Sequence, residues 1–442
     1  MIDLSPACKT APPPPPTLLR AFLLRFGLVY SALFMIPVLA GSAYGFEWTG
    51  KLVESAIRAI VDPVAHGVLG ISYELTWGGG SGDKTADWVW ILCCAATALI
   101  ASLVWLAIDR RRAHDAQIRT VLRILIRYSI AYTLLSYGIS KLFTRQFPLP
   151  SGGRLLQTYG DSSPMGLLWT FMGASPAYVF FSGAAETVGG LLLLFRRTTT
   201  LGALVLAVVM VNVVMMNFCY DVPVKGHSSH YLAMCVYLIG PDVVALFRFL
   251  VLRQPAQPCI EDPVITRRWM RVARAVLKYG VTGLILFTNV YGEGFQRTTS
   301  AADAWYEGTW QVTEFQRNGQ TVPPSPSEKT RWLRIRFQVS GDQRYIRWRY
   351  MDATTADLYS MVLDDKAQNM TFKHERADGD HKSTEPTGPL VLHYVRHDAT
   401  HLTLEGKVGG DTLVMQIERF DPDKTLLLSR GFHWINEDPF NR

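Results

Sequence analysis

A chain of 442 residues that is 49% hydrophobic but only 18% charged lies outside the usual composition of a soluble protein, in which about a quarter of residues are charged. The net charge of +7 is one-sided: before Arg297 there are 25 Lys+Arg against 16 Asp+Glu, and from Arg297 onward 19 against 21. The basic residues sit at the ends of apolar runs, which is a pattern of membrane topology, so no nucleic-acid partner is expected.

Residues 1–20 form a proline-rich tail in which Pro12 to Pro16 favour extended polyproline II. The first apolar run covers about 21–44. Ala40-Gly41-Ser42-Ala43 would suit cleavage of a leader, but the run is long for one and Arg25 interrupts its start, so it reads as a retained span. In the connection that follows, Leu52, Val53, Ala56, Ile57, Ile60, Val61 and Val64 repeat at helical spacing. They predict an amphipathic helix that lies against the outer membrane face or caps the bundle, before a flexible loop over Trp77–Gly82. Further spans are expected at about 87–108, 119–143, 176–195, 199–219, 229–250 and 272–291, about seven in all. The stretch from Ser163 to Gly173 is too short to cross and is expected to pack on the outer surface.

Six cysteines occur, Cys8, Cys93, Cys94, Cys219, Cys235 and Cys259, with no C-x-x-C pair. These spacings build no disulfide framework and no zinc ribbon. With the N-terminus in the cytoplasm, the inner segments collect 18 Lys+Arg, among them Arg110-Arg111-Arg112, Arg196-Arg197 and Arg267-Arg268, against seven outside. The charge bias therefore predicts an inner-membrane protein with its N-terminus inside and its C-terminal domain periplasmic. The domain plan is a tail at 1–20, two spans with an outer amphipathic loop at 21–118, a four-helix core at 119–252, a cytoplasmic loop and last span at 253–294, and a soluble domain at 295–442.

That last domain reads as all-β. Alternating runs recur at Thr309–Gln316, Trp332–Val339, Tyr345–Met351, Leu358–Leu363, Met370–His374, Leu390–Val395, Leu402–Lys407, Thr412–Arg419 and Thr425–Arg430. Closing them into a barrel removes exposed strand edges. Trp332, Tyr345, Trp348 and Tyr350 are read as packing residues. Asn369-Met370-Thr371 matches a glycosylation pattern but falls inside a predicted strand.

Two stretches resemble known families. Gly138-Ile139-Ser140-Lys141-Leu142-Phe143 with Gln146-Phe147-Pro148, Ser163-Pro164-Met165-Gly166, Gly183-Ala184-Ala185-Glu186 with Gly189-Gly190, and Asn217-Phe218-Cys219-Tyr220-Asp221-Val222-Pro223-Val224-Lys225 together resemble the DoxX-like membrane family over about residues 120–250. The resemblance implies a four-helix membrane core. That family includes subunits of a thiosulfate:quinone oxidoreductase and partners in envelope redox complexes. The vitamin K epoxide reductase-like fold is related, but its thiol chemistry needs the C-x-x-C that this chain lacks. In the C-terminal domain, Gly308-Thr309-Trp310 resembles the G-x-W that opens the first strand of lipocalins, and Arg430 in the last predicted strand matches the arginine that packs over that tryptophan. The segment from Gly431 to Glu437 is too short for the helix that usually ends a lipocalin.

Glu186 is the sharpest candidate for chemistry. A carboxylate inside an apolar span is costly unless it is paired, neutral or functional, and the nearby Gly183, Gly189 and Gly190 also allow a helix–helix hydrogen bond. Lys141 can snorkel to the outer interface or turn inward toward Glu186, and its depth near the end of its span favours the first. Asn217 and Asp221 are four apart on one helix face, with Lys225, His227 and His230 following. Asp221 and the two histidines have the side chains of metal ligands, but surface capping is the stronger reading and no metal is expected. No phosphate loop, nucleophile elbow or HExxH motif is present. The expected role is an accessory or binding protein for a lipophilic molecule, a quinone or lipid, or for a membrane or periplasmic partner. The alternative is a quinone-linked oxidoreductase subunit. No cofactor motif is evident, and a quinone is the cofactor that the resemblance allows.

Overall fold

A computed structural model describes residues 17–41, 47–109, 114–255, 268–291, 304–340, 343–352, 355, 358–374 and 389–430. The proline run, Cys8 and Cys259, Arg110-Arg111-Arg112, Arg267 and the Gly431–Glu437 segment lie outside them. The chain divides into two units, residues 1–147 with 177–294 and residues 148–176 with 295–442. The 119–252 core of the domain plan is therefore interrupted, because its 148–176 stretch groups with the C-terminal domain.

The helical unit contains α1 (Leu18–Gly41), the amphipathic α2 (Glu47–Pro63), α3 (Thr85–Ile108) and α4 (Asp115–Leu142). After the excursion into the other unit, which carries α5 (Gly152–Leu155) and α6 (Pro164–Gly173), it resumes with α7 (Pro176–Leu194), α8 (Thr199–Cys219), α9 (Lys225–Ile239), α10 (Val243–Leu250) and α11 (Arg268–Asn289). Among the described residues five segments are long and apolar enough to cross a bilayer: Leu18–Val38, Thr85–Ile108, Pro176–Leu194, Arg196–Cys219 and Lys225–Leu250. The other two of the expected seven, α4 and α11, have spanning lengths of 28 and 22 residues but are more polar. The expected fold class, a helical membrane bundle followed by an all-β barrel, therefore holds, with about seven helices of spanning length.

One core joins Phe34 and Met35 of α1 to Ile126, Ile130 and Leu134 of α4, Leu193 of α7, Leu206 of α8 and Cys235 of α9. A second core packs Ile57 and Val61 of α2 against Val89 and Cys93 of α3. Polar contacts fix which helix ends meet. Arg25 is fully buried, and its guanidinium reaches Asp109 at 2.7 Å and Asp115 at 2.8 Å, so the start of α1, the end of α3 and the start of α4 share one end of the unit. Asp83, just before α3, accepts from the Lys225 and Gly226 amides at 2.7 and 2.9 Å, which satisfies the first turn of α9.

Among the described residues of the second unit, nine strands follow one another: β1 (Gly308–Arg317), β2 (Gln320–Thr321), β3 (Trp332–Ser340), β4 (Gln343–Tyr350), β5 (Tyr359–Asp364), β6 (Asn369–His374), β7 (Leu390–Arg396), β8 (His401–Val408) and β9 (Asp411–Arg419). All neighbours are antiparallel, and β1 also pairs with β9, so eight strands close a barrel with β2 as a side hairpin. The predicted strand at Thr425–Arg430 is instead a short helix, α12 (Leu426–Ser429). With β1 hydrogen-bonded to β9 no strand edge is left for it, and Leu426 and Leu427 remain exposed. The barrel interior is filled by Trp310, Phe315, Trp332, Phe337, Trp348, Tyr359, Phe372 and neighbouring aliphatic residues. Trp332 and Trp348 stack at 4.2 Å between ring centroids, and Trp348 stacks on Tyr359 at 4.9 Å. The packing reading of Trp332 and Trp348 therefore holds, and Tyr350 packs against the same core.

Candidate functional site

Glycines bring α4 and α7 close enough for two charged side chains to meet. A Cβ on Gly138 would lie 2.8 Å from the Thr187 amide nitrogen and 2.9 Å from the Gly183 carbonyl oxygen, and one on Gly183 would lie 2.7 Å from the Lys141 Cβ. No larger residue fits at this crossing, which is the small-residue packing of membrane helices. One helical turn beyond Gly138, the Lys141 Nζ donates to both carboxylate oxygens of Glu186 at 2.5 Å. Both side chains are nearly inaccessible, at 6% and 2% exposure.

The outward path for Lys141 is therefore not the one taken. Depth estimated from each span's own hydropathy placed Lys141 near an end and Glu186 in a middle. The glycine crossing sets a different register: α7 starts ten residues before Glu186, roughly 15 Å of helix, so the end of α4 meets the middle of α7. The pair is electrically neutral as a unit, and each partner supplies the hydrogen bonds that the other would otherwise lose to the apolar surroundings.

The remaining polar residues do not join that pair. Asn217 is buried on α8 and donates to the Ser228 hydroxyl of α9 at 3.0 Å. Asp221 is exposed, adopts a positive φ of 52° and accepts from Lys225 at 2.8 Å. Lys225 also lies 3.9 Å from Asp83. Asp83 is thus the centre of this corner, and its place in a glycine-rich loop gave no periodic signal to single it out.

Both histidines pack against Phe34 of α1, the His227 ring at 5.4 Å between centroids. His230 stacks on Phe34 at 4.3 Å between ring centroids, and its Nδ1 lies 2.7 Å from the Gly226 carbonyl oxygen. A carbonyl only accepts, so Nδ1 carries the proton and Nε2 accepts from the Tyr30 hydroxyl at 2.6 Å. Among the described residues no three His, Cys, Asp or Glu side chains gather as a metal site would need. The described cysteines, Cys93, Cys94, Cys219 and Cys235, are free.

A DoxX family model matches residues 122–217, the stretch that carries α4, α7 and α8. The uncharacterized protein YwoB of Bacillus subtilis (strain 168) is 32% identical over 118 residues, which cover 26% of this chain and 73% of YwoB. The chain belongs to the DoxX family. Within that family region lie Lys141, Glu186 and Asn217, together with the glycines that let α4 and α7 touch. No solved structure matches the chain.

In the barrel, Gly308 has a φ of 132°, a conformation that side chains rarely adopt, and Trp310 is fully buried. The Trp310 Nε1 donates to the Tyr306 carbonyl at 2.9 Å. Arg430 does not cover the tryptophan from a last strand, because it caps the end of α12. Arg419 takes that place. It stands opposite Trp310 in the β1–β9 register, its guanidinium carbon lies 5.9 Å from the ring centroid, and it also donates to the Glu307 carbonyl at 2.6 Å.

Proposed function

We propose that this DoxX-family protein is a membrane-embedded accessory or binding protein whose helical unit serves a lipophilic molecule, a quinone or lipid, or an envelope partner. In this reading it sits in a bacterial inner membrane, with its N-terminus in the cytoplasm and a lipocalin-like barrel in the periplasm. The observation that carries the accessory reading is the closed Lys141–Glu186 pair: the carboxylate in the middle of α7 is consumed in joining two helices. The apolar faces left open support the lipophilic part, since Tyr178, Phe180 and Phe181 of α7 and Val208, Met215 and Phe218 of α8 are all exposed. The barrel's lipocalin likeness rests on Gly308, Trp310 and the covering Arg419. Its filled interior directs binding to surfaces and away from the barrel lumen.

The test is mass spectrometry of lipids and proteins that co-purify with the full chain in a mild detergent, with a visible-spectrum scan of the same sample. A lipid, quinone or partner protein enriched over the bulk membrane extract supports the reading, and an extract indistinguishable from bulk membrane overturns it. Glu186→Gln separates the oxidoreductase alternative. Under the accessory reading the variant complements a deletion strain at matched protein level, whereas a folded but inactive variant makes the carboxyl proton part of a reaction.

A further inference from the structure

The face of the barrel that meets α5 carries an arrangement of charge that strand packing alone does not require. β3 reads Arg334-Ile335-Arg336-Phe337 and β4 reads Arg347-Trp348-Arg349. The two-residue period sends Ile335, Phe337 and Trp348 into the core and the arginines outward. The antiparallel register then sets Arg334 opposite Arg349 and Arg336 opposite Arg347. Like charges directly opposite one another destabilise a sheet, and two such pairs stand side by side here.

A fifth guanidinium arrives from the 148–176 segment of the same unit. Gly152 packs so closely on the barrel that a Cβ there would lie 2.8 Å from the Thr309 Cβ, and this seats Arg154 beside the strand arginines. Together they line a cleft of about 280 Å³ whose walls include Ser151 and Thr309 and, among the described residues, no Asp or Glu. Asp161 approaches the rim, 3.6 Å from Arg349. Among the described residues no carboxylate forms an ion pair with Arg334, Arg336 or Arg347. Arg334 donates to the Leu156 carbonyl, and its Nε is buried without a partner. Burial and the facing Arg349 push the Arg334 guanidinium down from its ordinary value, so the cleft holds positive charge under strain.

We propose that this cleft binds a phosphate group, carried by a soluble phosphate compound or by a lipid headgroup. Guanidinium forks match the oxygens of a tetrahedral oxyanion two at a time, and a doubly charged phosphate relieves the repulsion between the facing pairs. Thr309 and Ser151 add hydroxyl donors at the cleft wall.

The test uses the full chain in a maltoside detergent, which carries no phosphate. Inorganic phosphate and pyrophosphate are titrated by calorimetry as soluble probes. Mixed micelles containing phosphatidic acid, with diacylglycerol as the phosphate-free control, probe the headgroup. Saturable binding of either soluble probe assigns a soluble source, and binding of phosphatidic acid but of neither soluble probe assigns a headgroup. Arg334→Gln and Arg347→Gln should each weaken binding by at least about tenfold, and Lys373→Gln, which removes an exposed charge on β6, should leave it unchanged. Removing one arginine from a like-charged pair should keep or raise the ligand-free melting temperature, so lost binding is not lost folding. Should Arg334→Gln fail to fold, the more exposed Arg347→Gln decides alone. Binding of none of the probes, binding untouched by either substitution, or an equal loss in Lys373→Gln overturns the proposal.

Discussion

Breaking the Lys141–Glu186 pair from one side should cost far more than removing it altogether. Glu186→Leu leaves an ammonium at 6% exposure facing apolar helices, and Lys141→Met leaves a carboxylate at 2% exposure. Each single change should destabilise by about 3 kcal/mol, the cost of an unpaired charge in a protein or bilayer interior. In the double variant no charge is left, and the side-chain volumes are close to the originals, so its cost should fall to about 1 kcal/mol. The double cost is then below the sum of the singles by about 5 kcal/mol, and intramembrane screening or water entry would reduce that gap to no less than about 2 kcal/mol. Unfolding of the purified chain by sodium dodecyl sulfate, followed by tryptophan fluorescence and far-ultraviolet circular dichroism, measures all four corners of the cycle. Single costs that add within about 0.5 kcal/mol would show that the two charges do not hold each other, and the helix-joining role would fall.

The barrel core is self-contained, so residues 295–442 expressed alone should give a β-type circular dichroism spectrum and one cooperative melt. In that domain Trp310→Ala should cost about 3–5 kcal/mol in urea unfolding, and Arg419→Ala about 1 kcal/mol, since it uncovers the ring without emptying the core. Hydrogen bonds from Asn318 and then Arg317 hold the Asp411 carboxyl below the usual aspartate range, so its contribution is present above the unfolded value near pH 4 and is lost as pH falls through the folded one. Asp411→Asn should flatten the acid side of the melting-temperature profile below about pH 4. Alkaline phosphatase fused after Arg442 should be active, and an inactive fusion beside an active cytoplasmic reporter would reverse the topology.

The barrel was legible because its signal is local. Each strand from β3 to β9 alternates core and solvent positions over six to nine residues, and the β3–β4, β5–β6, β7–β8 and β8–β9 connections are only two to four residues long, so a period of two finds the strands and most of their ends. The same logic misread Thr425–Arg430, where three leucines in a row carry no period and only closure of β1 on β9 decides that no further strand can pair. Arg419 was missed for that reason too: its place over Trp310 depends on a pairing between the first and last strands, about a hundred residues apart. In the helical unit, the apolar lengths of α1, α3, α7, α8 and α9 were plain. The meeting of Lys141 with Glu186 was not, because interhelical register is set where glycines allow contact and leaves no trace in hydropathy. Arg25 read as a blemish in an apolar run, and it is the buried centre of a three-helix contact with Asp109 and Asp115. The outward arginines of β3 and β4 carried no signal in the sequence, because only the cross-strand register sets them in pairs.

Both units spend their interiors on packing. In the helical unit the buried charges neutralise one another, Lys141 with Glu186 and Arg25 with Asp109 and Asp115, and the buried Asn217 bonds to Ser228. In the barrel, stacked tryptophans and a layer of phenylalanines occupy the space that a hollow barrel would give to a ligand. A packed interior is costly to open, since each displaced large side chain forfeits several kcal/mol of burial and dispersion. Under the proposed function, recognition would therefore fall to the outer faces, where no such cost applies. The faces differ in chemistry: α7 and α8 present aromatic and aliphatic side chains, whereas β3, β4 and α5 present guanidinium groups, of which Arg334, Arg336 and Arg347 form no ion pair with a carboxylate among the described residues. Under the proposed function a partner for the first would be apolar, and under the phosphate proposal the ligand of the second would be an anion. The phosphate and phosphatidic acid titrations test the second face by itself.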